Sequence, residues 1–119
     1  MNEKTRILLI EDDEPSVRVM RLILEPEGYE LDVSANRQEA LTALGEQRPA
    51  LVIMDYMMGG LAPSEFIDNA RAIGFQGPIL LCTAMHDDGG LQVDDVLFKP
   101  FDPDELSGKL SALLQQSRN

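Results

Sequence analysis

Apolar residues fall into two alternating patterns along the chain. Arg6-Ile7-Leu8-Leu9-Ile10, Leu51-Val52-Ile53-Met54 and Ile79-Leu80-Leu81-Cys82 are short runs with little or no polar interruption. Such runs predict strands covered on both faces, the situation of a parallel sheet. Glu30-Leu31-Asp32-Val33 and Val96-Leu97-Phe98 are weaker members of the same class. Between the runs the apolar residues take helical spacing. Val19, Met20, Ile23 and Leu24 form one stripe, and Ala40, Leu41 and Leu44 a second. Phe66, Ile67 and Ala70 form a third, and Leu106, Leu110, Leu113 and Leu114 the last.

Capping residues sharpen these boundaries. Asn36 with Glu39 reads as a capping box. Asp102-Pro103-Asp104-Glu105 reads as an N-cap, a proline at the first helical position and an acid three residues after the cap. Pro26 ends the first helix near Leu24 or Glu25. Gly28, Gly45 and Gly74 fit helix C-terminal ends. The predicted order is β-α-β-α-β-α-β-(short)-β-α over residues 1–119, read as a single domain. With right-handed crossovers this gives an α/β fold: a doubly wound five-stranded parallel sheet, flavodoxin-like, in the order 2-1-3-4-5.

Composition narrows the class. At 44% hydrophobic and 26% charged, the chain has the make-up of a globular domain, not of a disordered one. No apolar run has the length of a membrane span, and Met1-Asn2-Glu3-Lys4 does not open a signal peptide. The one cysteine, Cys82, excludes an internal disulfide and reads as an inert core thiol. A cytoplasmic location is therefore expected. Acids outnumber bases 21 to 10, a net charge of −11. Such a surface repels phosphate backbones, so direct nucleic-acid binding is not expected.

In sheets of this kind, ligands sit beyond the carboxyl ends of the strands. The first run ends in Glu11-Asp12-Asp13, the third in Asp55, the fourth in Thr83-Ala84 and the fifth in Lys99-Pro100. Clustered carboxylates raise one another's pKa, and a divalent cation relieves the repulsion. Hard oxygen donors in small number suit Mg²⁺. A carboxylate beside Mg²⁺ and an ammonium is a nucleophile fit for phosphorus, with Thr83 and Lys99 placed to hold phosphoryl oxygens.

These residues resemble the receiver domain of the two-component response-regulator family. The likeness is carried by Arg6 to Asp13, Pro49 to Asp55, Pro78 to Ala84 and Phe98-Lys99-Pro100-Phe101, in the family's order over essentially the whole chain. The resemblance implies that Asp55 is the phosphoacceptor, with Glu11 and Asp12 as the acidic pair; Asp12 with Asp13 is the alternative frame. It implies a metal shell of Glu11, Asp12, Asp55 and the backbone carbonyl of Met57, with Mg²⁺ as cofactor. Thr83 is the implied switch hydroxyl and Lys99 the phosphate-binding lysine, while the small Ala84 leaves the phosphate accessible. The implied donor is a histidine kinase or histidine phosphotransferase, and the implied output a downstream protein partner, without nucleic acid or membrane. The resemblance implies at most self-phosphorylation from a phospho-donor and slow self-dephosphorylation as enzymatic activity.

The chain departs from the family in three places. Where the family has proline and then Asp-Gly after the phosphoacceptor, this chain has Gly59, Ala62 and Pro63, so a looser loop is expected and Pro63 is placed to start the third helix. The family aromatic three residues before the lysine is Val96 here, and Phe98 is expected on the opposite side of a regular strand. The interval from Thr83 to Lys99 is short, and Met85 to Gln92 holds two glycines and two acids, so the helix between the fourth and fifth strands is expected to be missing or about one turn long. His86, the one histidine, reads as an exposed loop residue. Met57 and Met85 flank the expected site, and an apolar rim there predicts a long-lived aspartyl phosphate.

Two other readings compete. A pseudo-receiver would keep the fold as an interaction module without phosphate; Val96 and the short loop favour it, and the retained Glu11, Asp12, Asp55, Thr83 and Lys99 oppose it. A flavodoxin-type cofactor binder needs a phosphate cradle after the first strand, and Glu11-Asp12-Asp13 has the wrong sign for one.

Overall fold

A computed structural model describes residues 4–85 and 87–116. His86 lies outside the described residues. Five strands, β1 (Thr5–Ile10), β2 (Tyr29–Ser34), β3 (Leu51–Asp55), β4 (Ile79–Thr83) and β5 (Asp95–Phe98), form one sheet in the order β2-β1-β3-β4-β5. All four pairings are parallel. Every residue of β3 and β4 is buried, which is why these strands read as continuous apolar runs.

Side-chain alternation along the strands divides the interior into two cores. Ile7, Leu9, Ile53, Leu80, Cys82 and Leu97 face helices α1 (Glu14–Leu24) and α4 (Pro103–Gln116), where Met20, Leu24, Leu106, Leu110 and Leu113 meet them. Leu8, Ile10, Val52, Met54, Ile79 and Leu81 face α2 (Arg37–Gln47) and α3 (Pro63–Ala72), where Ala40, Leu44, Phe66, Ile67 and Ala70 close the other side. Val19, expected in the first stripe, stands outside the core with 48% of its surface exposed.

Local chemistry explains the helix ends. The Asn36 side chain accepts from the Glu39 amide at 2.8 Å, and the Glu39 carboxylate accepts from the Ala35 amide at 3.2 Å, a capping box displaced by one residue. Asp102 accepts from the Asp104 amide at 3.0 Å ahead of α4. α1 stops at Leu24, and the 3-10 turn Glu25–Glu27 carries Pro26 into Gly28, whose φ of 96° needs no Cβ to be accommodated. Pro63 is the first residue of α3. Gly45 does not end α2: the helix runs past it, and Arg48 takes the left-handed position at φ 50°.

Among the described residues there is no helix between β4 and β5. The Asp87 and Asp88 carboxylates accept from the Gly89 and Gly90 amides, both at 2.9 Å, and both glycines have positive φ. These turns take the backbone out of the helical basin. Leu91, Val93 and Val96 then pack on the second core in place of a helix. Asp94 secures the end of the segment: its amide donates to the Ile79 carbonyl at 2.9 Å, and its carboxylate accepts from the Ile79 amide at 2.7 Å and pairs with Arg71 at 3.3 Å. Phe98 does not lie opposite Val96. The two residues flank Leu97, which enters the first core, so alternation puts both on the other side, with Phe98 42% exposed at the strand end.

Candidate functional site at the carboxyl edge of the sheet

Glu11, Asp55 and Lys99 leave β1, β3 and β5 on the same side, continuing the parity of Leu9, Ile53 and Leu97. Glu11 and Asp55 are each 6% exposed. The Asp55 carboxylate is held at both oxygens: Oδ1 accepts from the Met57 amide at 3.2 Å, and Oδ2 accepts from Lys99 Nζ at 3.2 Å. Lys99 Nζ also stands 3.9 Å from Glu11 Oε1, and Glu11 Oε2 accepts from the Asp13 amide at 3.2 Å. The Lys99 amide donates to the Thr83 carbonyl at 2.8 Å, which ties the lysine to the end of β4.

The electrostatics follow from two acids facing one ammonium. Burial, then the neighbouring Asp55 charge, pushes Glu11 up from its ordinary value to about 7, against the stabilising Asp13 amide and Lys99. Partial burial pulls Lys99 down, but the negative charges around it, Asp55 foremost, outweigh burial and hold it above its usual range. Burial pushes the Cys82 thiol up to about 12, in keeping with an inert core residue.

The remaining expected site residues are less tightly gathered. Asp12 follows Glu11 on the opposite parity and is exposed, lining a depression with Tyr56, Met57 and Gly59. Asp13 is committed elsewhere: it is the N-cap of α1, accepting from the Ser16 amide at 3.0 Å and the Ser16 hydroxyl at 2.6 Å, and these bonds hold it below its ordinary value. Thr83 is fully buried, and its Oγ1 accepts from the Met85 amide at 3.0 Å. Ala84 is exposed and lines a groove with Glu11, Lys99, Val19, Ile23 and Phe101. Among the described residues no three acidic, histidine or cysteine side chains are drawn together, so Glu11 and Asp55 form a pair that Asp12 does not join. Paired hard carboxylate oxygens whose repulsion a single lysine leaves partly unrelieved nonetheless fit Mg²⁺ by donor chemistry.

One residue of the site escaped the sequence reading. Arg37, at the start of α2, is fully buried. Its guanidinium donates to the carbonyls of Asp55 at 3.0 Å, Tyr56 at 2.8 Å, Met58 at 3.4 Å and Leu61 at 2.8 Å. The available signal was an electrostatic anomaly: a cation at a helix N-terminus opposes the helix dipole and needs another reason to be there.

The family profile of the response regulator receiver domain matches residues 7–111. The transcriptional regulatory protein YkoG of Bacillus subtilis is 36% identical over 121 residues, covering 97% of this chain and 53% of that protein. The DNA-binding response regulator MtrA of Mycolicibacterium smegmatis is 33% identical over 124 residues, covering 98% of this chain and 53% of that protein. The chain thus spans about half the length of these curated relatives. Among solved structures, the receiver domain of a sensor histidine kinase from Pseudomonas aeruginosa PAO1, described with a magnesium ion coordinated in its active-site cleft, superposes with a TM-score of 0.87 at 26% identity, covering 95% of this chain and 99% of that one. Among the described residues no helix is long and apolar enough to cross a membrane.

The relatives correct one expectation. Net charge predicts no direct nucleic-acid binding, yet similar proteins are transcriptional and DNA-binding regulators. The charge argument concerns the surface of these 119 residues, whereas those relatives are about twice as long. Partner classes of a longer protein are not set by the charge of one part. The profile match, together with relatives above 30% identity across nearly its whole length, places the chain in the response-regulator receiver family.

Proposed function

We propose that this chain is the phosphoacceptor receiver of a two-component or phosphorelay system, in which Asp55 takes a phosphoryl group from a phosphohistidine donor. The observation that carries the proposal is the Asp55 carboxylate at the end of β3, 6% exposed, bonded to Lys99 and set beside Glu11. An Asp55 oxygen attacks phosphorus, the phosphorus–nitrogen bond breaks as the phosphorus–oxygen bond forms, and the donor imidazole leaves with a proton. Lys99 meets the charge of the phosphoryl oxygens, and the Thr83 hydroxyl, one residue beyond the pairing of Asp55 with Cys82, donates to one of them. The small Ala84 keeps the approach open.

Glu11, Asp55 and the Met57 carbonyl are the residues that would hold Mg²⁺, and Asp12, exposed beside Met57, would complete the set by turning its side chain toward the pair. When bound, it supplies positive charge against the phosphoryl oxygens. Phosphorylation then shifts a two-state surface near the β4 end. A cytoplasmic location belongs to the same proposal, as does an output through transcription, which follows the relatives. A Mg²⁺ titration followed by NMR tests the site: saturable shifts at Glu11, Asp55 and Met57 that vanish in Asp55→Asn support it. A titration identical in the two proteins contradicts it.

A further inference from the structure

Arg37 is buried and makes no ion pair among the described residues; the Asp55 charge offsets only part of its burial, so its hydrogen bonds must make up the rest. Its two terminal nitrogens reach four carbonyls of one loop, those of Asp55 and Tyr56 through Nη2 and those of Met58 and Leu61 through Nη1. The loop needs such support. It contains Gly59 and Gly60, the latter at φ 87°, and the Ala62 cap of α3 has no side chain to bond the helix start. The four carbonyls bracket Met57. Among the described residues no hydrogen bond is made to the Met57 carbonyl itself. The Met57 amide meanwhile donates to Asp55 Oδ1, so the turn that the guanidinium fixes also orients the carboxylate.

We infer that Arg37 is a positioning residue for the phosphoacceptor: its guanidinium clamps the β3–α3 loop, aims the Asp55 carboxylate and leaves the Met57 carbonyl as the loop oxygen available to a divalent cation. This rests on the metal-assisted reading given above. The guanidinium carries donors on two separate nitrogens and so reaches two pairs of carbonyls at once, which the single nitrogen of a lysine ammonium cannot do. Partners that orient metal ligands typically change metal affinity ten- to a hundredfold when removed.

The test compares wild type with Arg37→Met and Arg37→Lys. Amide hydrogen exchange of residues 57–61 is measured first, without metal; Mg²⁺ affinity by calorimetry and phosphorylation by acetyl phosphate follow. Faster exchange confined to the loop, with Mg²⁺ affinity of the folded protein weakened about tenfold or more in both variants, supports the inference. A lower melting temperature with unchanged loop exchange and Mg²⁺ affinity overturns it and leaves Arg37 a packing residue. If neither variant folds, the wild-type guanidinium decides: hindered rotation and distinct Nη–H signals support the clamp, and free rotation overturns it. Wild type that neither binds Mg²⁺ nor takes up phosphate would count against the proposed function, while the exchange data would still report on the clamp.

Discussion

Lys99 Nζ stands 3.2 Å from Asp55 Oδ2 although Asp55 ends β3 and Lys99 follows β5, with β4 between the two strands. The contact exists because both side chains leave the sheet on the same parity at its carboxyl edge. It makes Lys99 the counter-charge of the proposed phosphoacceptor before any phosphate arrives. Lys99→Met should therefore fold, since the lysine side chain is 31% exposed, yet accept phosphate from acetyl phosphate more slowly by roughly two orders of magnitude. Single-turnover rates read this, and a rate within a factor of a few of wild type would remove Lys99 from the mechanism.

The pairing of Glu11 with Asp55 predicts a pH dependence. Glu11 titrates at about 7 in the fold against an ordinary 4.5, so the folded state holds the proton more tightly than the unfolded chain does. Its contribution to stability is fully present below about 4.5 and is lost as pH rises through about 7. In chelator, wild type should lose more stability between pH 5 and pH 8 than Glu11→Gln, read as urea midpoints. A Glu11 carboxylate that holds Mg²⁺ would have to lose that proton, so Mg²⁺ affinity should climb with pH up to about 7. Parallel pH profiles for the two proteins would show that Glu11 is not the titrating group.

Asp13 caps α1 while Glu11 faces Lys99, so the two acids should answer differently to substitution. Asp13→Ala removes the α1 cap and should cost about 1 kcal/mol of stability with Mg²⁺ affinity unchanged. Glu11→Gln should weaken Mg²⁺ binding. The reverse pattern in calorimetry would favour the Asp12 and Asp13 frame.

Met57 and Met85 are 68% and 39% exposed, and their amides bond to Asp55 Oδ1 and Thr83 Oγ1, which puts an apolar residue next to each of these two site positions. An apolar rim slows the approach of an attacking water, so the aspartyl phosphate should persist for minutes or longer in purified protein. A half-life of seconds, followed by mass spectrometry after donor removal, contradicts this.

Most of the fold was legible because its signals are local. A strand buried on both faces must be apolar throughout, as Leu51 to Met54 are, and Asn36, Pro63 and Asp102 mark helix starts by bonds within a few residues. The absent helix was legible for the same reason, since Asp87 to Gly90 compete with helical hydrogen bonds over two-residue spans. Positions decided by distant neighbours were not. Arg37 is buried because carbonyls 18 to 24 residues away in sequence receive it, and no window around α2 contains that loop. Arg48 rather than Gly45 turns left-handed because α2 runs further than its apolar stripe. At the site, the sequence brought Glu11, Asp55 and Lys99 to one sheet edge, but parity and capping separate Asp12 and Asp13 from them.

Phosphoryl transfer to Asp55 with Mg²⁺ is read without intermediaries by intact mass after incubation with acetyl phosphate and Mg²⁺, beside Asp55→Ala and a metal-free control. Wild type should gain a single phosphoryl group that is absent from both controls. Folded wild type that gains no mass, or an Asp55→Ala protein that gains as much, would contradict it.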